Sequence, residues 1–136
     1  MELKVKASDE SMQAVNDFIH SQLPANCDVM LLNQIDLAVE EIFVNIAHYS
    51  GSAEAVIDCT YNVNGAGIGI LTVIFIDSGK PFNPLDKPDP DITLSAEERN
   101  IGGLGIFLTK KFMDSVEYDY EDGKNKLKIE KTICAA

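Results

Sequence analysis

The sequence predicts an α+β fold: a two-layer α/β sandwich in which a sheet built largely from hairpins is covered on one face by helices. Three observations predict it. Residues 55–61 alternate apolar and polar positions and lead through a glycine-containing turn into the apolar, β-branched run 68–76, and 115–120 and 126–131 alternate around a second such turn, the pattern of antiparallel hairpins. Residues 8–23 and 28–50 repeat their apolar positions at helical spacing. No internal repeat or linker interrupts the chain, so its 136 residues are expected to form a single domain, 1–136, long enough to bury a core.

In order, Leu3, Val5 and Ala7 alternate with Glu2, Lys4 and Lys6, the period of a strand with one buried face. Ser8 supplies a helix N-cap and Asp9 and Glu10 an acidic first turn; Met12, Val15, Phe18, Ile19 and Leu23 form the inward stripe, and Pro24 and Asn26 end it. Asp28 or Asn26 caps the next, long helix. It carries Leu31, Ile35, Ala38, Ile42 and Ile46 inward, Leu32, Val39 and Phe43 beside them, and closes near Tyr49-Ser50-Gly51. Ala55, Ile57, Cys59 and Tyr61 mark a strand, and a turn at 63–67 leads into the β-branched run Ile68 to Ile76. From Pro84 to Asn100 periodicity fails. Pro84, Pro88 and Pro90 alternate with acids, and Leu94 to Arg99 offers one helical turn. Such a segment predicts a flap at about residues 84–102, with a plain surface loop as the competing reading. Gly105 to Met113 reads as a helix with Ile106, Leu108 and Phe112 inward, and the last hairpin pairs 115–120 with 126–131.

Hydrophobic residues make up 46% and charged residues 24%, a globular profile. A formal net charge of −11 argues against a nucleic-acid partner, because no basic stripe exists to displace counterions. It suits a basic protein partner or simple solubility. Cys27, Cys59 and Cys134 are odd in number and widely spaced, which argues for a reducing compartment without disulfides. No apolar run has the length of a signal peptide or bilayer span, so no membrane association and a cytoplasmic location are expected. Met12, Met30 and Met113 sit on helical stripes and read as core.

Two stretches carry chemistry. A strand ending on Asp77 and breaking at once into Gly79 and Pro81 delivers a carboxylate to the rim of a sheet, as turn former or as hydrogen-bond acceptor. Gly102, Gly103 and Gly105 precede a helical run, where bare backbone amides can cradle an anion. Together they predict a nucleotide pocket. On the long helix Glu41 and Asn45 lie four apart on one face. The Asn oxygen is a hard Mg²⁺ ligand and the Glu a candidate base, although acid and amide on a solvated face is the commoner meaning of such a pair.

The succession Glu41-x-x-x-Asn45, Asp77-x-Gly79-x-Pro81-Phe82 and Gly103-Leu104-Gly105 resembles the N, G1 and G2 boxes of the histidine-kinase-like (GHKL, Bergerat-fold) ATP-binding superfamily. The short length, the Pro-Phe-Asn-Pro after Asp77-x-Gly79, and Gly-Gly-Leu-Gly-Ile-Phe-Leu before Phe112-Met113-Asp114 look most like the anti-sigma-factor serine kinases. The resemblance implies a mixed, mostly antiparallel sheet, a flap that closes over ATP, and Mg²⁺. It implies that Asp77 accepts the adenine amino group, that Gly79 lets the backbone pass beneath the base, and that Asn45 binds the metal. The amides of Gly103, Leu104 and Gly105 then hold the phosphates, and Glu41 is the general base. Glu40 leaves that last assignment open by one residue, with the spacing to Asn45 favouring Glu41. Asn125 falls where the family often has a threonine that reaches adenine through water. Lys80 has no counterpart in this scheme, and Arg99 reads as a phosphate contact or a solvated charge. His48 reads as a packing or hydrogen-bonding residue.

The function so implied is an ATP-binding serine protein kinase that phosphorylates a small anti-sigma-factor antagonist and regulates transcription by partner switching. A sigma factor is a further implied partner and a homodimer an implied assembly. The alternative is a non-catalytic ATP-binding regulatory module whose partner binding depends on nucleotide. A free-standing ATPase is a third reading, and a histidine-kinase fragment a fourth.

Overall fold

The computed structural model describes residues 1–25, 27–86 and 101–134, with the backbone alone at Asp86, 101–104 and Cys134. Its elements run β1 (Glu2–Lys6), α1 (Met12–Gln22), α2 (Val29–Asn45), β2 (Glu54–Val63), β3 (Ile68–Asp77), α3 (Ile101–Phe112), β4 (Ser115–Glu121) and β5 (Lys124–Cys134). Short 3₁₀ turns stand at Asp9–Ser11 and Pro84–Asp86, and a π-helical turn, Ile46–Ser50, continues α2.

The sheet has the order β1-β2-β3-β5-β4, and each described pairing is antiparallel. After β3 the chain leaves for α3, returns at the sheet edge as β4, and doubles back so that β5 lands beside β3. That crossover sets Asp77 directly opposite Asn125. The β4–β5 turn is tighter than the sequence predicts. Asp122 and Gly123 both have positive φ (56° and 75°), as a two-residue hairpin turn requires.

Alternation along the strands puts Ala55, Ile57 and Cys59 of β2, Leu71, Val73 and Phe75 of β3, and Leu127, Ile129 and Ile133 of β5 on the helix-facing side. The long helix dominates the other layer. It buries Ile35, Ala38, Val39, Ile42 and Phe43, followed by Ile46, whereas α1 fully buries only Val15 and Ile19. Each large side chain so buried contributes about 1.5–3 kcal/mol of transfer free energy, so α2 is the helix to which the sheet is clamped. Asp28 is its cap, accepting the amide of Met30 at 3.1 Å, and Gly51 closes the π turn in the left-handed conformation (φ 77°). At the far end of α3, Lys131 reaches through the helix-facing side to donate to the Phe112 carbonyl at 2.6 Å, a cation on free C-terminal acceptors.

Several expectations are corrected. Ser8 makes no capping bond; the chain winds through the 3₁₀ turn first, and α1 starts at Met12. Met30 is 69% exposed, because α2 begins at Val29 and its first turn projects beyond the core, while Met113 is buried and Met12 half-buried. The glycines are not ahead of α3 but within its first turns, since the helix starts at Ile101. The flap region is regular at its ends, Pro84–Asp86 and Ile101 onward; its body, with the helical turn at 94–99 and Arg99, lies outside the described residues, as does Asn26.

Candidate functional site

A hollow opens between α2 and the end of the sheet where β3 stops. Ile42, Asn45, Ile46 and Ser50 line it from the helix side; Phe75, Asp77, Tyr118, Asn125 and Leu127 from the sheet; Phe82 and Pro84 from the loop that leaves β3. Mouth included, it holds about 350 Å³ of free space. Apolar walls with a few converging polar groups suit a flat heterocycle.

On the sheet side, Asp77 is 4% exposed. Its Oδ1 accepts the Gly79 amide at 2.9 Å and the Asn125 Nδ2 at 3.0 Å. Both hydrogen bonds described for this carboxylate therefore fall on one oxygen, which leaves Oδ2 as an acceptor for a ligand. The turn after Asp77 is seated on the end of the π turn. The Lys80 amide donates to the Ser50 carbonyl at 3.0 Å, and a Cβ at Gly79 would overlap that same carbonyl. Glycine is required at 79 by close approach, not by φ. Asn125 binds the turn from the other flank, and Tyr118 donates its hydroxyl to the Asn125 Oδ1. Burial pushes the Tyr118 phenol up and the nearby Asp77 carboxylate adds to this, against a downward pull from the Phe82 backbone, so it stays a donor.

The helix side differs. Asn45, 7% exposed, is the last residue of α2 before the π turn, and its buried Nδ2 has no hydrogen-bond partner among the described residues. An unpaired buried amide carries a desolvation penalty of about 1–3 kcal/mol, which a bound ligand would relieve. Glu41 lies one helical turn earlier, and its side chain rests on the bare Cα of Gly105: a Cβ there would overlap the Glu41 carboxyl group. Glu40 is exposed and accepts the Asn16 Nδ2 at 3.3 Å, on the flank facing α1. The two adjacent glutamates thus serve different surfaces. With α3 starting at Ile101, the amides without an intrahelical partner are those of its first four residues, 101–104, while Gly105 supplies clearance for Glu41. The acid of α2 is thereby brought against Gly105 of α3.

One residue outside the hollow behaves as a structural group. His48 pairs through Nε2 with both carboxylate oxygens of Asp9 at 2.9 Å, tying the π turn to the start of α1. Lys80 is exposed. No functional cue marks Tyr118 or Ser50 in the sequence, and Phe82 stands out there only as the last residue of the Asp77-x-Gly79-x-Pro81-Phe82 motif. The β3–β5 register that brings the last hairpin against Asp77 is the signal that finds Tyr118. Among the described residues no group of three or more His, Cys, Asp and Glu could hold a metal ion. A cation here would rest on the Asn45 Oδ1 and on phosphate oxygens of a ligand, a usual way for Mg²⁺ to be held. The unpaired Nδ2 is a donor, does not ligate a cation, and suits a phosphate oxygen instead.

A buried acceptor at the rim of the sheet, an apolar slot and free helix amides define a nucleotide-binding module. The chain belongs to the histidine kinase-like ATPase domain family, whose model matches residues 5–131, and membership implies ATP binding. Comparison with curated proteins found no match. Among solved structures, the fold is similar to the RsbU and RsbW domains of Rv1364c from Mycobacterium tuberculosis, with a TM-score of 0.58 and 12% identity over 100% of this chain and 33% of that one. It is also similar to the histidine kinase domain of the Erythrobacter litoralis EL346 blue-light activated histidine kinase, with a TM-score of 0.50 and 15% identity over 93% of this chain and 64% of that one. The chain thus spans about a third of the first and under two thirds of the second. No described helix is long and apolar enough to cross a membrane.

Proposed function

We propose that this chain is an ATP-dependent serine protein kinase of the anti-sigma-factor type, which phosphorylates a small antagonist protein and so controls its hold on a sigma factor. The observation that supports this reading beyond ATP binding is Glu41 resting on Gly105, beside the first turn of α3 and one turn from Asn45. In the proposed reaction the base sits in the apolar slot with its amino group on Asp77 Oδ2, over the backbone at Gly79. The amides of Gly103 and Leu104, with the clearance at Gly105, hold the phosphate chain. Asn45 is the ligand proposed for Mg²⁺, which when bound supplies charge neutralisation on the phosphates. The antagonist serine approaches the γ-phosphorus and Glu41 takes its proton. The new bond joins the serine oxygen to that phosphorus, and the bond to the β-bridging oxygen breaks, leaving ADP.

The test is transfer from labelled ATP to a candidate antagonist by the wild type and Glu41→Ala. Phosphoserine formed by the wild type and lost in the variant, with nucleotide binding retained, is the expected result. Nucleotide-dependent partner binding without transfer would replace this reading with a non-catalytic switch module. Phosphate release needing no partner would replace it with a simple ATPase.

A further inference from the structure

We infer that Asn125 is the positioning residue that sets the base selectivity of the hollow, by fixing which oxygen of Asp77 is left for the ligand. The inference rests on the nucleotide reading above and deepens it. A primary amide has two N–H donors and two acceptor lone pairs. On Asn125 all four are used. One N–H goes to Asp77 Oδ1 at 3.0 Å and the other to the Lys80 carbonyl at 2.8 Å, with the Gly79 carbonyl at 3.5 Å. Oδ1 accepts the Phe82 amide at 3.1 Å and the Tyr118 hydroxyl. The side chain is 5% exposed.

Three consequences follow from this saturation. First, the amide orientation is determined by its partners. Turned over, it would set its oxygen against the Asp77 carboxylate and a carbonyl, and its donors against the Phe82 amide. Second, Asn125 has no polar capacity left for a ligand, so its part in recognition is indirect. Third, one side chain joins both halves of the pocket floor: it holds the carboxylate that reads the base and both ends of the 80–82 turn that walls the slot. With Oδ1 held by the Asn125 amide and the Gly79 N–H, Asp77 can neither rotate nor offer that oxygen. Oδ2 is the single acceptor presented, and an acceptor alone prefers a base bearing an amino group to one bearing hydrogen or a carbonyl there.

The experiment compares ATP with purine riboside triphosphate, which has the same sugar and phosphates but hydrogen in place of the amino group. Affinities are measured by calorimetry on the full chain, as wild type, Asn125→Ala and Tyr118→Phe, with thermal melts to verify folding. Wild type is expected to prefer ATP by about tenfold, the value of one charge-assisted hydrogen bond. In Asn125→Ala the affinity for ATP falls several-fold more than the affinity for purine riboside triphosphate, so that the preference shrinks. Tyr118→Phe removes one bond of the set at a half-buried position and shifts the same ratio less; it carries the test if the alanine variant does not fold. Equal weakening of both nucleotides would assign Asn125 a merely structural part and overturn the inference, as would an unchanged preference. Wild type binding both alike would overturn the base assignment of Asp77 along with it while leaving phosphate binding intact. Wild type binding neither would remove the nucleotide reading itself.

Discussion

The two walls of the hollow are built on opposite terms. On the sheet wall, Asp77, Asn125, Tyr118 and the 79–82 turn satisfy one another through a closed set of hydrogen bonds, and Gly79 and Lys80 are seated on Ser50. On the helix wall, Asn45 keeps a buried amide without a partner and Glu41 lies against bare backbone. On the proposed function, the contrast teaches that the fold completes the part of the site that would discriminate and leaves incomplete the part that would react. A recognition surface gains from rigidity because its cost of ordering is met during folding. Reacting groups need unspent hydrogen-bonding capacity for the ligand.

The largest expected effect falls on the helix wall. Glu41→Ala is expected to lower phosphoryl transfer by about 10²–10⁴-fold, the usual contribution of a general base, with nucleotide affinity little changed. Single-turnover transfer and a binding titration check it, and full transfer by the variant would place the base elsewhere. Gly105→Ala attacks the same group through space. Its new methyl would occupy the volume of the Glu41 carboxyl, so transfer is expected to fall by about 10²-fold although no reacting atom is removed. A variant with normal turnover would show that the wall yields. On the sheet wall, Asp77→Asn is expected to weaken ATP by roughly ten- to a hundredfold, since a charged acceptor is exchanged for a neutral amide. Unchanged affinity would break the comparison at its other end.

A smaller effect reports on the layer beneath the sheet wall. Burial raises the Cys59 thiol to about 11, with Asp58 adding to the rise and the chain's N-terminal amine opposing it. A thiol whose folded value exceeds its unfolded one stabilises fully below about pH 9 and loses that contribution as pH climbs toward about 11. Stability is therefore expected to drop over that window by on the order of 2 kcal/mol, and Cys59→Ala should flatten the dependence in denaturant titrations. The smallest effect is a control remote from the hollow. Asp28→Ala removes the cap of α2 and is expected to lower stability by about 1 kcal/mol while leaving the ATP affinity of folded protein unchanged.

Much of the fold was legible because its cues are local. Alternation in 55–61, the β-branched run 70–76 and the stripe from Ile35 to Ile46 are each local patterns, and the described core takes Ala55, Ile57 and Cys59, Leu71, Val73 and Phe75, and Ile35, Ala38, Ile42 and Ile46 from them. The acid–amide pair on α2 was legible for the same reason, spacing on one element. The placement of the glycines was not. Gly102 and Gly103 have low helix propensity, so they read as a stretch ahead of the helix; α3 includes them, and at Gly105 α2 crosses so close that no side chain fits against Glu41. Asn125 was legible as a departure from a family pattern but not as a hub, because its meaning depends on a residue 48 positions away. Met30 misled because a helical stripe does not say where the core ends.

The π turn at Ile46–Ser50 spends one residue more per hydrogen-bonded loop than an α-helix does. Losing a single residue there would rewind the segment and swing everything downstream by roughly 100° about the helix axis. The Ser50 carbonyl would then no longer lie beneath Gly79. The length of the turn is fixed: insertion or deletion among Ala47, His48 and Tyr49 would dismantle the floor of the hollow without altering Ile46 or Ser50, which line it.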